Sequence, residues 1–150
     1  MRDIAWIVVS ALRSVPYCVG GLAEYIVSDI NNYRDLLVWQ KGMVLVKHVY
    51  RVTRSFPRDE MYGLTSQMRR AAVSVPSNIA EGHGRFQTKD FIRFLRTSMG
   101  SLFELQTQLE IAFDLDYFSD EDHRKLTDWS AELERMLSSL IRKLSARLTE

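Results

Sequence analysis

Seven residues in the third quarter of the chain, Phe91, Leu95, Ser98, Leu102, Leu105, Leu109 and Ala112, step by 4, 3, 4, 3, 4 and 3. That spacing places all seven on one stripe of an α-helix. The stripe has to be buried, and the partner that buries a helical seam of this kind is another helix. Ser98 and Ala112 are small and let a neighbour come close. The segment 88–114 therefore constrains the fold to helix-on-helix packing, with Thr88 as a candidate cap.

Three further segments carry the same period. Over 33–56, Leu36, Trp39, Met43, Val46, Tyr50 and Thr53 form a stripe, which Pro57 ends because the residue before a proline disfavours the α region. A second helix opens with Asp59 as N-cap and carries Leu64, Met68, Ala71, Val75 and Ile79. Pro76 lies inside it and predicts a kink. Gly82 and Gly84 end it, Gly82 in a left-handed conformation. The fourth segment, 120–148, has Ser119 and Asp122 in a capping-box arrangement and a stripe of Leu126, Trp129, Leu133, Leu137, Leu140 and Leu144. Its first turn is acidic, and Arg142, Lys143 and Arg147 lie near its C-terminus, as the helix dipole favours at both ends. The connections are short, so neighbours are antiparallel. The expected fold is all-α: an up-down-up-down four-helix bundle over residues 33–150, its second helix kinked at Pro76.

Residues 1–32 read differently. An apolar run at 4–12 is far shorter than the ~20 residues that span a bilayer. Asp3 offsets Arg2, which weakens a secretion signal, and Pro16, Gly20 and Gly21 break any helix. A signal, an amphipathic segment and an extension or misplaced start outside the working domain are the three readings; the third is favoured, since the periodic pattern starts only at Tyr33. With the single cysteine, Cys18, the chain fits a reducing cytoplasm, with no membrane role.

At this point the residues carry a likeness. The stretch Tyr33-Arg34-Asp35-Leu36-Leu37-Val38-Trp39-Gln40-Lys41 resembles the opening of the bacterial 23S rRNA intervening sequence protein family, also called the S23 family. Residues 62–82, from Tyr62-Gly63-Leu64 through Met68-Arg69-Arg70-Ala71-Ala72 to Pro76-Ser77-Asn78-Ile79-Ala80-Glu81-Gly82, look like its signature, and 91–110 are similar to its third helix. The likeness covers 33 to about 145 and leaves out 1–32. It implies a four-helix bundle that assembles as a homopentamer. One relative, the accessory variability protein of diversity-generating retroelements, binds nucleic acid and a reverse transcriptase. By that resemblance this chain is expected to bind RNA or DNA as accessory to a nucleic-acid enzyme.

Charge along the chain is uneven although the net charge is only +1. Residues 41–96 hold eleven Lys or Arg against four Asp or Glu, and residues 97–134 hold two against ten. Lys47, Arg51, Arg54 and Arg58 are spaced 4, 3 and 4; Lys89, Arg93 and Arg96 are spaced 4 and 3; Arg69 and Arg70 sit midway in the second helix. Such rows can neutralise successive phosphates. These nine residues are the candidate nucleic-acid contacts. Two alternatives stand beside that reading: solvated or salt-bridged helix faces, and an interaction scaffold whose basic and acidic faces pair between subunits. Pro76, Asn78, Glu81 and Gly82 are read as structural, their polar groups satisfying backbone that proline leaves free.

The three histidines, His48, His83 and His123, lack metal-ligand spacing, and no nucleophile elbow, phosphate loop or di-iron Glu-x-x-His pair is present. The expectation is a non-catalytic protein without metal or cofactor.

Overall fold

The computed structural model describes residues 32–148. All but the last residue of the expected extension over 1–32, and the readings of it, lie outside the described residues. Among the described residues the α-helices are α1 Leu37–Val52, α2 Leu64–Gly84, α3 Thr88–Asp114 and α4 Asp120–Ala146. No strand occurs among the described residues. Each helix packs on its two neighbours in chain order and α1 closes the ring against α4, so α1 and α3 lie on one diagonal and α2 and α4 on the other.

Cross-helix pairs fix the directions. Gly42 meets Pro76 and Thr53 meets Arg69 between α1 and α2. Ser74 meets Ser101 and Gly82 meets Phe94 between α2 and α3. Gln106 meets Glu134 and Glu110 meets His123 between α3 and α4, while Lys41 meets Glu132 and Arg51 meets Asp122 between α1 and α4. In every pair one number rises as the other falls, so neighbouring helices run antiparallel.

The α3 seam forms as its spacing dictates. Leu95, Ser98, Leu102, Leu105, Leu109 and Ala112 are buried, and Ile92 replaces Phe91 at the start. In α4, Leu126, Leu133, Leu137 and Leu144 are buried, but Ser130 takes the interior place expected of Trp129. The expected cap at Ser119 is present, its hydroxyl accepting from the Asp122 amide at 3.2 Å.

The α1 stripe is a correction. Val38, Gly42, Leu45, Val49 and Val52 are buried, whereas Trp39, Met43 and Val46 are half-buried and Tyr50 is exposed. Both rows have spacings of three and four, one residue apart. The row that wins contains Gly42, where a Cβ would sit 3.5 Å from the Pro76 Cβ, so α1 and α2 touch at a residue with no side chain. α1 also ends at Val52, before Pro57 can act. The Thr53 hydroxyl donates to the Val49 carbonyl at 2.8 Å, and Arg69 Nε donates to that hydroxyl at 2.9 Å. Side-chain bonds to the last carbonyls thus close the helix.

The ends of α2 differ from expectation too. Arg58–Met61 form a 3-10 turn, and the acceptor for the Leu64 amide is Glu60 Oε2 at 2.8 Å rather than Asp59. At the other end, α2 runs through Pro76 and stops at Gly84, one of the two glycines expected to end it. Gly82 is helical and buried, not left-handed: a Cβ there would lie 2.6 Å from the Phe94 Cβ. Its missing side chain brings α2 against α3. The left-handed residues of the described chain are Phe86, at φ 57°, and Asp116, at φ 56°. Asp116 belongs to a C-terminal cap in which the Tyr117 amide donates to the Ala112 carbonyl at 3.0 Å and the Asp116 amide to Phe113 at 2.9 Å.

Candidate nucleic-acid interface

Antiparallel packing sorts the nine predicted cations into two groups. The C-terminal end of α1, the N-terminal end of α2, the C-terminal end of α3 and the N-terminal end of α4 lie together; the other four helix ends lie together at the opposite pole. Lys47, Arg51, Arg54, Arg58, Arg69 and Arg70 are in the first half of the bundle, and Lys89, Arg93 and Arg96 are in the second. The exposed residues of α1 and of α3 also face away from each other, because those helices are diagonal. The nine residues do not form one surface.

Two of the six cations in the first group, Arg51 and Arg69, are engaged within the fold. Arg51 Nη2 lies 2.6 Å from Asp122 Oδ1 on α4. Arg69 holds the end of α1 through Thr53 and lies 4.9 Å from the Tyr50 ring centroid. Lys47, Arg54, Arg58 and Arg70 are exposed, but the carboxylates of the acidic run surround this end: Asp114, Asp116, Asp120, Glu121 and Asp122 sit at the α3–α4 connection. For Arg51, the reading of a salt bridge to the acidic helices is the one that holds.

The second group sits in different surroundings. Dividing each helix at its midpoint assigns every charge, since Ser74, Ser101 and Leu133 at the midpoints of the three longer helices carry none. The half built from 32–44, 74–101 and 134–148 has ten Lys or Arg and four Asp or Glu, a balance of +6. The half built from 45–73 and 102–133 has eight and eleven, a balance of −3. The uneven charge along the sequence becomes a separation along the bundle axis.

Within the basic half, α3 and α4 contribute jointly. Counting ten residues back from Gln106 reaches Arg96, and ten forward from its partner Glu134 reaches Leu144. Counting fourteen residues along from Glu110 and its partner His123 reaches Leu137, so Arg96 is level with the α4 stretch 137–144, where Arg142 and Lys143 are exposed. Lys89, Arg93, Arg96, Arg135 and Arg142 are all exposed, and the one ion pair among them is Arg93 to Asp90 at 3.4 Å, with the Arg93 side chain still 70% exposed. Arg135 and Arg142 were missed as binding candidates, and only the register with α3 reveals them. The guanidinium carbons of Arg85 and Arg93 lie 5.4 and 5.1 Å from the centroid of the Phe94 ring, which seats both cations beside the α2–α3 turn.

The residues around Pro76 act as structure. Asn78 Nδ2 donates to the Ser74 carbonyl at 2.8 Å and to its hydroxyl at 2.9 Å, the Ser74 and Ser101 hydroxyls are 2.8 Å apart, and the Ser98 hydroxyl donates to the Val75 carbonyl at 3.0 Å. Asn78 thus serves the Ser74 carbonyl and the α2–α3 seam, not the Ala72 carbonyl that Pro76 deprives of an amide. Glu81 pairs with Arg85 across one turn at 2.5 Å instead of bonding backbone.

Each histidine packs on an aromatic ring: His48 on Trp129 at 4.1 Å, His83 on Phe91 at 6.0 Å and His123 on Phe113 at 4.0 Å. Burial, and then the neighbouring Arg51, lower the His48 pKa below the ordinary histidine value. His123 Nε2 is 3.1 Å from Glu110. No helix of the described residues is long and apolar enough to cross a membrane.

With the fold in hand, comparison with known proteins agrees with the residue-level likeness. Residues 34–139 match the profile of the 23S rRNA-intervening sequence protein. The chain belongs to the 23S rRNA-intervening sequence protein family. A solved structure shares the fold at TM-score 0.65 and 21% identity, covering 70% of this chain and 98% of its own: a protein with unknown function from the S23 ribosomal protein family of Bacteroides thetaiotaomicron VPI-5482. No curated protein matches the chain. The family match spans α1, α2 and α3 and most of α4, so it includes Lys89, Arg93, Arg96 and Arg135, and stops just short of Arg142.

Proposed function

We propose that this chain is a non-catalytic bundle that binds RNA or DNA through its basic pole, as a homo-oligomer and as an accessory to a nucleic-acid enzyme in the cytoplasm. The observation that carries this reading is the run of exposed cations Lys89, Arg93 and Arg96 on α3 beside Arg135 and Arg142 on α4, within a half of the molecule whose balance is +6. Phosphates displaced onto such a face release counterions, so binding weakens with salt in proportion to the contacts made. A repeated pole in an oligomer adds avidity to weak individual contacts. Self-association has a candidate surface in the outer row of α1, where Trp39, Met43 and Val46 are half-buried and Tyr50 is exposed.

The test is fluorescence anisotropy of labelled RNA and DNA across a salt series. The reading expects a linear fall of log affinity with log salt, and a slope smaller by about 1 for each of Lys89, Arg93 and Arg96 changed to Ala. Absence of binding at low salt would remove it. The axial separation of charge favours a second reading, a scaffold in which the basic pole of one copy meets the acidic pole of the next. Under that reading the same substitutions shift the sedimentation profile toward monomer.

A further inference from the structure

Phe86 stands at the α2–α3 turn with 95% of its surface exposed and with φ at 57°. The left-handed backbone ends α2 and turns the chain toward α3, but no contact within the fold calls for a phenylalanine ring there. A bulky side chain adopts the left-handed region at a cost that glycine or asparagine avoids. An aromatic ring in water gains nothing from its own chain, which scarcely touches it. Strain and exposure combined on one residue of a tight turn point to an external contact.

The surroundings say which kind. Arg85 is next in sequence, Lys89 lies three residues on, and Arg85 and Arg93 are both seated on the Phe94 ring. Glu81 and Asp90 each pair with one of these arginines, which leaves Lys89 and Arg96 with no ion pair among the described residues. A flat π-face among cations is the arrangement on which unpaired bases stack while neighbouring phosphates are neutralised. Tyr62 offers a contrast. It is 92% exposed, yet it sits at the acidic pole beside Asp59 and Glu60, where phosphate is repelled.

Resting on the proposed nucleic-acid reading, we infer that Phe86 is a stacking platform for an unpaired base, so that the basic pole takes single-stranded RNA or DNA in preference to duplex. The bases of a duplex are stacked on each other and offer no free face along its length. The platform tolerates any base, since each has a π-face.

The experiment measures anisotropy of single-stranded and duplex oligonucleotides of one sequence, as RNA and as DNA, against the full chain and three variants. Phe86→Ala is expected to weaken single-strand binding about 5- to 150-fold, to leave duplex binding unchanged and to keep the salt slope. Phe86→Trp is expected to retain single-strand affinity, and its added fluorescence to be quenched on binding. Tyr62→Ala is expected to change nothing. Single-strand affinity of Phe86→Ala equal to the parent, or an equal loss for single strand and duplex, overturns the platform while the basic pole stands. Failure of the parent chain to bind any oligonucleotide overturns both readings.

Discussion

The two poles of this bundle hold similar numbers of cations and use them differently. At the pole where α3 runs into α4, Arg51 is bound to Asp122, Arg69 closes α1 through Thr53, and side chains cap the helix starts: the Ser119 hydroxyl accepts from the Asp122 amide, and Glu60 accepts from the Leu64 amide. At the pole where α2 runs into α3, the cations of α3 and α4 point into solvent and the carboxylates are few. At the first pole two cations serve the architecture and the others stand among an excess of carboxylates; at the second the cations are in excess. The difference shows that a cationic row in sequence is not yet a surface, because what it faces is decided by the register of the helices beside it.

Substitutions can break or sharpen that contrast. The largest effect is expected from Gly82→Ala at the basic pole. The added Cβ would meet the Phe94 Cβ at 2.6 Å, and overpacking of that kind costs about 1–3 kcal/mol in denaturant unfolding. It also displaces the ring on which Arg85 and Arg93 rest. Glu60→Ala at the acidic pole removes the acceptor for the Leu64 amide and for the Tyr117 hydroxyl, and a loss of about 0.5–2 kcal/mol is expected in the same assay. Phe86→Gly relieves a left-handed phenylalanine and buries nothing less, so a stability gain of up to about 1 kcal/mol is expected. A double-mutant cycle on Arg51 and Asp122 is expected to return about 0.2–1 kcal/mol, the range for exposed pairs. Arg96→Ala, with no partner to lose, is expected to stay within about 0.5 kcal/mol of the parent.

The smallest effect is in pH. His48 packs on Trp129 and faces Arg51, Asp122 and Lys125, and burial lowers its pKa in the folded state. The unfolded chain then binds the proton more readily, so this residue's contribution is complete above the ordinary histidine pKa and declines as pH falls below it. Unfolding midpoints measured from pH 7.5 to 5.5, values chosen to span about 6.5, should fall less in His48→Phe than in the parent.

The fold was legible because the leucine-rich rows of α3 and α4 leave little choice of face. α1 was less so. It carries two apolar rows one residue apart, and the packed one includes Gly42, which hydrophobic spacing passes over. Gly82 misled for a related reason: a glycine near a helix end reads as a left-handed cap, while here it provides close approach to Phe94 and the left-handed place falls to Phe86. The candidate site was half legible. Lys89, Arg93 and Arg96 are visible as a row, but Arg135 and Arg142 join them only through the antiparallel register; in sequence Arg142 reads as a helix-dipole partner and Arg135 stands out in no way. Arg51 and Arg69 look like members of a row until the contacts that occupy them are seen.

The central claim is that the basic pole, and not the cationic row of α1, meets nucleic acid. Backbone amide chemical shifts recorded while a single-stranded oligonucleotide is added test this directly. The account predicts changes confined to residues 85–101 and 134–148, with 45–60 and 120–128 unmoved. Changes centred on Lys47, Arg54 and Arg58, or none at any residue under low salt, would contradict it.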